Sequence, residues 1–276
     1  MVPLAPRCGV EIKDVKLAEA QGPVLDAIRQ AIYEHGVALF RGQDDFTPEA
    51  HIAFARRWGG IDINNYFPLT AEHPEIAVVR KRADQVTNIG GGWHTDHSYD
   101  QVPAMGSILH AIEMPPYGGD TLFVSMGAAY EALSEPMRRF LDGLTAIHSS
   151  RHVFGVSTSD SEAAKSGRLS NADAATQDAH HPVVIRHPLS GRRGIFVNPV
   201  FTTHIEGLKP DESAAILNML YEHCKQPEFQ CRVRWQEGDV TMWDNRATWH
   251  KAINDYQGFR RLMHRVTVDG VALSNL

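Results

Sequence analysis

The sequence predicts an α+β fold that is mainly β, a sandwich or jelly roll with flanking helices. Three observations lead to this prediction. Short strand-like runs recur from residue 75 onward, turns containing Gly or Pro separate them, and helical periodicity is confined to a few segments. The 276 residues fit one large domain or two small ones, and they are enough to bury a substantial core.

The N-terminal part of the chain contains the clearest helical signals. Apolar residues in 22–35 recur at helical spacing, and a glycine ends this helix before a buried strand at 37–40. A second helix is predicted at 47–58, because Thr47 suits the N-cap and Pro48 suits the first helical position.

Short strands dominate the rest of the chain and are interrupted by two helices. The helices are predicted near 126–140 and 210–224. The predicted strands are 75–80, 93–99, 105–113, 119–125, 144–150, 182–187, 194–198, 230–236, 239–243 and 260–268.

The segment 155–179 differs from the rest of the chain in composition. It is rich in Ser, Ala, Asp and Gly and has few large apolar residues. At about twenty-five residues it is too long for an ordinary connection, and such loops in compact domains are usually functional lids or disordered. We expect a mobile lid over the active site, and the alternative is a loop with no role in the site.

Composition and charge disfavour several classes of protein. A hydrophobic fraction of 43% and a charged fraction of 22% are typical of globular proteins, and a net charge of −6 disfavours a general nucleic-acid binder. No apolar run is long enough to span a bilayer, and residues 1–10 lack the apolar stretch of a secretory signal. The three cysteines match no zinc motif, which favours a reducing, cytoplasmic location. We therefore expect no nucleic acid and no membrane among the partners.

The strongest functional signal is His94-Thr95-Asp96 together with the distant His250. If 93–99 is a strand, His94 and Asp96 project to the same side, because strand side chains repeat every two residues. Two histidines and one carboxylate bind one face of an octahedral metal and leave three positions open, as in non-haem Fe(II) oxygenases. Taken alone, the triplet is a weak signal, since such triplets are more often structural.

Four motifs, in this order, resemble those of one enzyme family. They are WHTD at 93–96, GGDT at 118–121, WDNRATWH at 243–250 and RRLMHR at 260–265. Over nearly its whole length the chain resembles the taurine dioxygenase / 2,4-dichlorophenoxyacetate dioxygenase family of Fe(II)- and 2-oxoglutarate-dependent oxygenases. The resemblance implies a double-stranded β-helix (jelly roll) with flanking helices, in one domain over 1–276. It also implies the use of Fe(II), 2-oxoglutarate and O₂, a small anionic substrate, and a homodimer or homotetramer.

The resemblance assigns roles to matching residues. His94, Asp96 and His250 match the iron ligands. Thr121 matches a threonine whose hydroxyl binds a 2-oxoglutarate carboxylate, and Arg261 matches the arginine that pairs with the distal carboxylate of 2-oxoglutarate. The planar fork of an arginine suits bidentate carboxylate binding. Without the resemblance, Arg261 would be interpreted as a solvated charge on a strand.

Arg265 matches the arginine that holds the substrate sulfonate in the taurine enzyme. Its separation of four from Arg261 places both on one face of a strand. Asn64 and Phe67 stand where the taurine enzyme has a histidine and a tyrosine, so we expect an anion with a more apolar body than taurine. His97 is expected either in the pocket or on the strand face opposite His94. The expected substrate contacts are therefore Arg265, Asn64, Phe67, His97, Phe154 and Phe201.

Segments 148–155 and 231–235 look closer to the phenoxypropionate-type dioxygenases, which cleave aryl ethers of small carboxylic acids. The resemblance thus implies hydroxylation of a carboxylate, sulfonate or sulfate ester, with C–O or C–S cleavage where the hydroxylated carbon carries a leaving group. An alternative is a jelly-roll metalloprotein that uses another metal without 2-oxoglutarate, as a hydrolase or isomerase, and Thr121 and Arg261 argue against it. A non-catalytic binding module is the third hypothesis, and the complete ligand set disfavours it.

Overall fold

Helices and strands are interspersed along the computed structural model, which describes residues 1–158 and 160–274. The α-helices are α1 (Gly22–His35), α2 (Pro48–Arg56), α3 (Met126–Ala132), α4 (Glu135–Leu141), α5 (Arg151–Phe154), α6 (Glu162–Lys165) and α7 (Pro210–Cys224). The strands are β1 (Val2–Pro3), β2 (Val10–Glu11), β3 (Val37–Phe40), β4 (Ile61–Asp62), β5 (Ala77–Lys81), β6 (Gly106–Glu113), β7 (Thr121–Ser125), β8 (Thr145–Ser149), β9 (Asp178–Pro182), β10 (Val184–Arg186), β11 (Arg193–Ile195), β12 (Thr202–Ile205), β13 (Gln230–Val233), β14 (Val240–Asp244), β15 (Thr248–Ala252) and β16 (Arg261–Val268).

A sheet of eight strands forms the largest element of the fold. Its order is β1–β2–β3–β14–β6–β16–β4, and β5 pairs with β16 beside this path. Its pairs are antiparallel except for β2 and β3, which run parallel. In the centre, Met242 of β14 is paired with both Ala38 of β3 and Ile108 of β6.

The two faces of this sheet bury different parts of the core, because strand side chains alternate in direction. On one face, Phe40 packs with Ile28 of α1 and Phe54 of α2. On the other face, Trp243 packs with Phe123 of β7, with 5.6 Å between their ring centroids. The second face is therefore covered by another sheet rather than by helices.

That covering sheet has three antiparallel strands in the order β13–β7–β15. Its outer face carries Val124 and Trp249, which pack with Ala128 of α3 and Leu217 of α7. Two smaller sheets, β12–β8–β9 and β10–β11, complete the strand pairings. The layers thus run from helices through the large sheet and the small sheet to further helices, and the candidate site lies between the two sheets.

Several predictions from the sequence are confirmed. The mixture of strands and helices is as expected, and α1 has the predicted bounds. Helix α2 begins at Pro48, and the Oγ1 atom of Thr47 accepts a hydrogen bond from the Ala50 amide at 3.2 Å. None of the helices in the described ranges has the length and apolar character needed to cross a membrane.

The predicted strand at 93–99 is wrong. His94 forms only an isolated bridge with His250, and a turn begins at Asp96. His97 has a φ of +60°, a left-handed conformation that a strand cannot contain. His94 and Asp96 therefore converge through a bridge followed by a turn, and not through the alternation of a strand.

A predicted helix and a strand near the site also differ from the predictions. The helix predicted at 126–140 is broken into α3 and α4, because Ser134 caps α4 and Pro136, which lacks an amide hydrogen, cannot continue α3. Strand β15, which carries His250, was not predicted. It is held in place by its pairing with β7, so that Trp249 is opposite Val124.

The segment 155–179 contains short helical turns rather than a structureless loop. These are a 3₁₀ turn at Val156–Thr158, α6, and a 3₁₀ turn at Ala172–Ala174. Its last two residues already belong to β9. Ser159, which is part of the predicted lid, lies outside the described residues.

Candidate active site

Three potential metal ligands meet between the sheets, although they are far apart in the sequence. His94 and His250 each donate a backbone N–H to the other's carbonyl, at 3.1 and 2.7 Å, and this bridge brings their rings to a centroid distance of 4.1 Å. The turn after His94 places the carboxylate of Asp96 beside these two rings. One ligand atom from each of His94, Asp96 and His250 can be chosen so that all lie within 4.8 Å of one another.

The hydrogen bonding of His94 and the pKa of His250 suit metal binding. The Nδ1 atom of His94 lies 2.8 Å from the Gly92 carbonyl, and since a carbonyl can only accept, Nδ1 carries the hydrogen. Nε2 of His94 is therefore the ring nitrogen left for a metal, and it lies 3.6 Å from Oδ1 of Asp96. Burial lowers the pKa of His250 to about 3, so this ring is neutral at neutral pH, with Nε2 3.8 Å from Oδ2 of Asp96.

Asp96 supplies the negative charge of the cluster. Its Oδ2 atom accepts hydrogen bonds from Oγ of Ser107 and from Nη1 of Arg265, both at 3.3 Å. Burial by itself raises the pKa of this carboxyl, but the charge of the buried Arg265 outweighs burial and holds the pKa well below its usual range. Asp96 is therefore ionised, as a metal ligand must be.

The donor set fits a divalent iron ion. Two neutral imidazole nitrogens and one carboxylate oxygen on one side of a cavity are the ligands of the facial triad, which leaves coordination positions for other molecules. The hydrogen bond from His94 to the Gly92 carbonyl and the one from Ser107 to Asp96 fix two of the three ligands in orientation. Nδ1 of His250 is buried and has no partner among the described residues.

A cavity of about 340 Å³ opens beside these three side chains. Its charged and polar wall includes Thr121, Arg261 and Arg265. Most of the remaining wall is apolar, and its members include Phe67, Leu109, Phe154, Leu169, Phe201 and Trp243. The cavity therefore offers cationic groups at one side and an apolar surface elsewhere.

Arg261 lies in this wall as a buried cation without a protein partner. In the described part of the chain its guanidinium makes no side-chain hydrogen bond or ion pair, and its Nε atom is fully buried. Burial lowers the pKa of Arg261, although an arginine remains protonated. Gly119, at a φ of +69°, leaves room beside it, because a Cβ there would lie 3.3 Å from Cδ of Arg261. An unpaired buried guanidinium of this kind is suited to hold a carboxylate.

Thr121 reaches the cavity from the first position of β7. Its hydroxyl oxygen accepts a hydrogen bond from Nε1 of Trp235 at 3.0 Å. This contact could not be predicted from the sequence, because 114 positions separate the two residues and Trp235 follows the end of β13. Thr121 and Arg261 thus lie on the same cavity wall, on strands of opposite sheets.

Arg265 and the predicted aromatic residues also line the cavity. The guanidinium carbon of Arg265 lies 4.7 Å from the ring centroid of Phe67, which is within the range of a cation–π interaction. Phe154 and Phe201 form a continuous wall, with ring centroids 5.8 Å apart. Phe201 in turn lies edge-on to His94 at 6.2 Å.

The structure does not bring Asn64 or His97 to this wall. The Oδ1 atom of Asn64 accepts the amides of Tyr66 and Phe67, at 2.9 and 2.8 Å, so that its side chain stabilises a turn. Nδ1 of His97 hydrogen-bonds Asp100 at 2.9 Å instead of facing the cavity. The left-handed backbone at His97 turns its side chain away from the direction that a continuous strand would have given.

The segment 155–179 covers part of the cavity. Thr158, Ser161, Ala163 and Leu169 contribute to the wall. A buried residue of the same segment, Arg168, attaches it to the loop that contains Thr87 and precedes the glycines at 90–92. Arg168 donates to the Thr87 carbonyl at 2.7 Å, and to the Thr87 hydroxyl and Oε1 of Glu162, both at 3.2 Å.

Known proteins are similar to this chain along nearly its whole length. A family model described as "Taurine catabolism dioxygenase TauD, TfdA family" matches residues 2–267. The chain is 34% identical over 276 residues to the alpha-ketoglutarate-dependent sulfate ester dioxygenase of Pseudomonas putida, with 97% of this chain and 88% of that protein covered. It is 34% identical over 288 residues to the alpha-ketoglutarate-dependent 2,4-dichlorophenoxyacetate dioxygenase of Cupriavidus pinatubonensis, with 97% and 96% covered.

The similarity extends to solved structures. The crystal structure of a putative alpha-ketoglutarate-dependent taurine dioxygenase from Burkholderia xenovorans superposes with a TM-score of 0.83 at 35% sequence identity. The superposition covers 99% of this chain and 93% of that one. The likeness therefore includes the elements that carry the three candidate ligands, the two arginines and the segment above the cavity.

Proposed function

Because the chain belongs to the taurine catabolism dioxygenase TauD, TfdA family, we propose that it is an Fe(II)- and 2-oxoglutarate-dependent dioxygenase that hydroxylates a small anionic organic substrate. The relatives described above are named for a sulfate ester, an aryloxyacetate and taurine, so we propose a carboxylate, sulfonate or sulfate ester as substrate. Where the hydroxylated carbon carries the ether, ester or sulfur substituent, the product collapses to a carbonyl compound, with cleavage of the C–O or C–S bond.

One observation carries this proposal. A two-histidine, one-carboxylate cluster and an unpaired buried arginine face the same cavity of about 340 Å³. A metal hydrolase or isomerase would have no need of the arginine, because it binds no 2-oxoacid. The arginine costs the folded protein the desolvation of a charge, and a dicarboxylic cosubstrate gives that charge a partner.

The cluster is proposed to hold Fe(II) through His94, Asp96 and His250. When bound, iron with 2-oxoglutarate and O₂ supplies oxidative decarboxylation to succinate and CO₂ and the hydroxylation of a substrate C–H bond. The protein's own contribution is orientation. The hydrogen bonds from His94 to the Gly92 carbonyl and from Ser107 to Asp96 hold the ligands in place before iron arrives.

Arg261 and Thr121 are proposed to bind the distal carboxylate of 2-oxoglutarate. A guanidinium offers two parallel N–H donors to one carboxylate, and a hydroxyl can add a third donor from the opposite sheet. Both side chains are buried, so the carboxylate is held away from water, where such bonds are strongest.

Arg265 is proposed to bind the anionic group of the substrate, and the aromatic wall its apolar part. Arg265 lies between Asp96 and Phe67, so an anion bound there places the rest of the substrate beside the metal ligands. Phe154 and Phe201 favour an alkyl or aryl body over a polar amine, because they offer no hydrogen-bond partner. Asn64 and His97 are not part of this proposal.

The segment 155–179 is proposed to act as the lid of the cavity. The proposal is supported by the four residues that the segment contributes to the wall and by the attachment of Arg168 to Thr87.

An Arg168→Gln variant should be cleaved faster by proteases within the segment and should form more succinate per substrate hydroxylated. Lys165→Gln is the control, because Lys165 lies in the same segment but is exposed. Equal protease sensitivity of both variants would refute the lid attachment.

Succinate formation tests the proposed function directly. The purified protein, supplied with Fe(II), ascorbate and 2-oxoglutarate in air, should release succinate in a substrate-dependent way with at least one member of a panel of sulfonates, alkyl sulfates, aryloxyalkanoates and amino acids. Tight zinc binding without any 2-oxoglutarate binding would contradict the proposal.

Two pairs of variants connect the activity to the site. His94→Ala and Arg261→Ala should abolish succinate formation. Their controls are His204→Ala, an exposed histidine, and Arg260→Ala, the exposed neighbour of Arg261 that pairs with a surface glutamate. Activity that survives in both site variants would remove these residues from the proposed mechanism.

We also propose four features of the fold, the assembly and the location of the protein. Similarity to the family supports a double-stranded β-helix (jelly roll) in a single domain over 1–276, and a homodimer or homotetramer that light scattering would detect. Three buried free cysteines support a reducing, cytoplasmic location.

A further inference from the structure

A tryptophan outside the cavity wall donates a hydrogen bond to Thr121. The indole Nε1 of Trp235 donates to Oγ1 of Thr121 at 3.0 Å, and both side chains are buried. No other hydrogen bond of the Thr121 hydroxyl occurs within the described ranges. The backbone of Thr121 is engaged elsewhere, since β7 pairs with β13 and β15 at this position.

The chemistry of the two groups fixes the direction of the hydroxyl hydrogen. An indole N–H can only donate, so the Thr121 oxygen must accept from Trp235. The hydroxyl hydrogen then points away from the indole, and it still has to find an acceptor, because a buried unpaired donor costs free energy. Thr121 faces the cavity that Arg261 also faces. An acceptor supplied by a bound carboxylate fits this requirement.

We propose that Trp235 is a positioning residue for the cosubstrate: it sets the Thr121 hydroxyl as a donor toward the carboxylate that Arg261 binds. This inference rests on the proposed use of 2-oxoglutarate and adds a residue to it. Without the indole N–H, the hydroxyl can rotate and the carboxylate loses an oriented donor. The purely structural alternative is that Trp235 only fills space between β13 and the large sheet, where it packs in the same cluster as Trp243 and Phe123.

The test measures cosubstrate affinity by calorimetry on the Mn(II)-loaded, full-length protein without O₂ turnover. Trp235→Phe keeps an aromatic ring and removes the N–H, and we expect the Kd for 2-oxoglutarate to rise by about 3- to 15-fold, as the loss of one hydrogen bond implies. Thr121→Val should weaken binding by about 10-fold or more, and Thr121→Ser should restore most of the affinity.

The double variant Trp235→Phe/Thr121→Val separates positioning from space filling. If Trp235 acts through Thr121, the double variant binds 2-oxoglutarate no more weakly than Thr121→Val alone. Its stability should also exceed that of Thr121→Val, because the single variant leaves a buried indole N–H without an acceptor. If Trp235 only fills space, the two losses of affinity add.

A matched control removes a different buried indole N–H. Nε1 of Trp249 donates to the Val197 carbonyl at 3.0 Å, on the face of β15 that packs against α3 and α7. Trp249→Phe should lower stability and leave the Kd for 2-oxoglutarate unchanged, because the lost hydrogen bond does not involve Thr121. A wild-type protein that binds no 2-oxoglutarate overturns the proposed function. If the wild type binds 2-oxoglutarate and Trp235→Phe binds it with the same Kd, only the proposed role of Trp235 is overturned.

Discussion

Replacing Arg261 by methionine should stabilise the unliganded protein while it destroys cosubstrate binding. The reason is that Arg261 is 6% exposed and has no partner in the described structure, so the folded state bears the cost of desolvating a charge. Methionine follows the course of the aliphatic part of arginine, is shorter by most of the guanidinium and carries no charge. The two effects of one substitution therefore have opposite signs.

The size of each effect follows from the burial of the two arginines on β16. Replacing a poorly compensated buried charge by an apolar side chain should raise the free energy of unfolding by about 1–3 kcal/mol. That corresponds to roughly 2–4 °C in Tm for each kcal/mol in a chain of this size. Arg265→Met should have the opposite result, because it leaves the buried carboxylate of Asp96 without its cation, at a cost of about 3–5 kcal/mol.

Thermal unfolding with and without cosubstrate measures both effects. In the presence of Mn(II), 2-oxoglutarate at one hundred times its Kd should stabilise the wild type by about 2.7 kcal/mol and should leave Arg261→Met unchanged. The unliganded Tm should order as Arg261→Met, wild type, Arg265→Met, from highest to lowest. The reasoning is refuted if Arg261→Met melts several degrees below the wild type, or if it keeps the full shift with 2-oxoglutarate.

Three other predictions concern the surroundings of the site. Gly119→Ala should raise the KM for 2-oxoglutarate by about 10-fold in a succinate assay, because a Cβ at a φ of +69° would press on Arg261 at 3.3 Å. Burial lowers the pKa of His51 to about 3, so the unfolded state binds more protons than the folded state below pH 6.5. The free energy of unfolding, measured in urea, should therefore fall by about 2 kcal/mol from pH 8 to pH 5 because of this group. His51→Gln should reduce this dependence on pH. Asp244→Asn should lower the free energy of unfolding in urea by about 3–5 kcal/mol, because Asp244 is fully buried and neutralises the equally buried Arg246.

Elements with strong local signals could be predicted from the sequence, and elements defined by pairing could not. The bounds of α1 and the cap of α2 follow from helical spacing and from Thr47 and Pro48, which act within a few residues. Strand β15 has no clear alternation of its own and is a strand because β7 pairs with it. The turn at Asp96 depends on the bridge between His94 and His250, whose partners are not adjacent in sequence.

The same distinction applies to the site. The three ligands and the arginines of β16 stand in motifs, so a resemblance carried by those motifs could name them. Arg168 stands in no such motif, and Trp235 belongs only to the segment 231–235, whose resemblance gave it no role. The partners of Trp235 and Arg168 lie 114 and 81 positions away. Asn64 and His97 were predicted by their place in the sequence, but local turns decide the direction of their side chains. Side-chain direction at a turn depends on backbone angles that an aligned position does not reveal.

The two arginines reach one cavity because an irregularity falls on the neighbouring strand rather than on their own. The pairing of β16 with β6 shifts register between Leu262 and Met263, which lie opposite Glu113 and Ala111. The extra residue, Ile112, therefore belongs to β6, and β16 keeps its alternation from Arg261 to Arg265, both of which are buried. Had the extra residue been in β16, a separation of four would have placed the two guanidiniums on opposite faces. The site thus requires a regular β16 as much as it requires the arginines themselves.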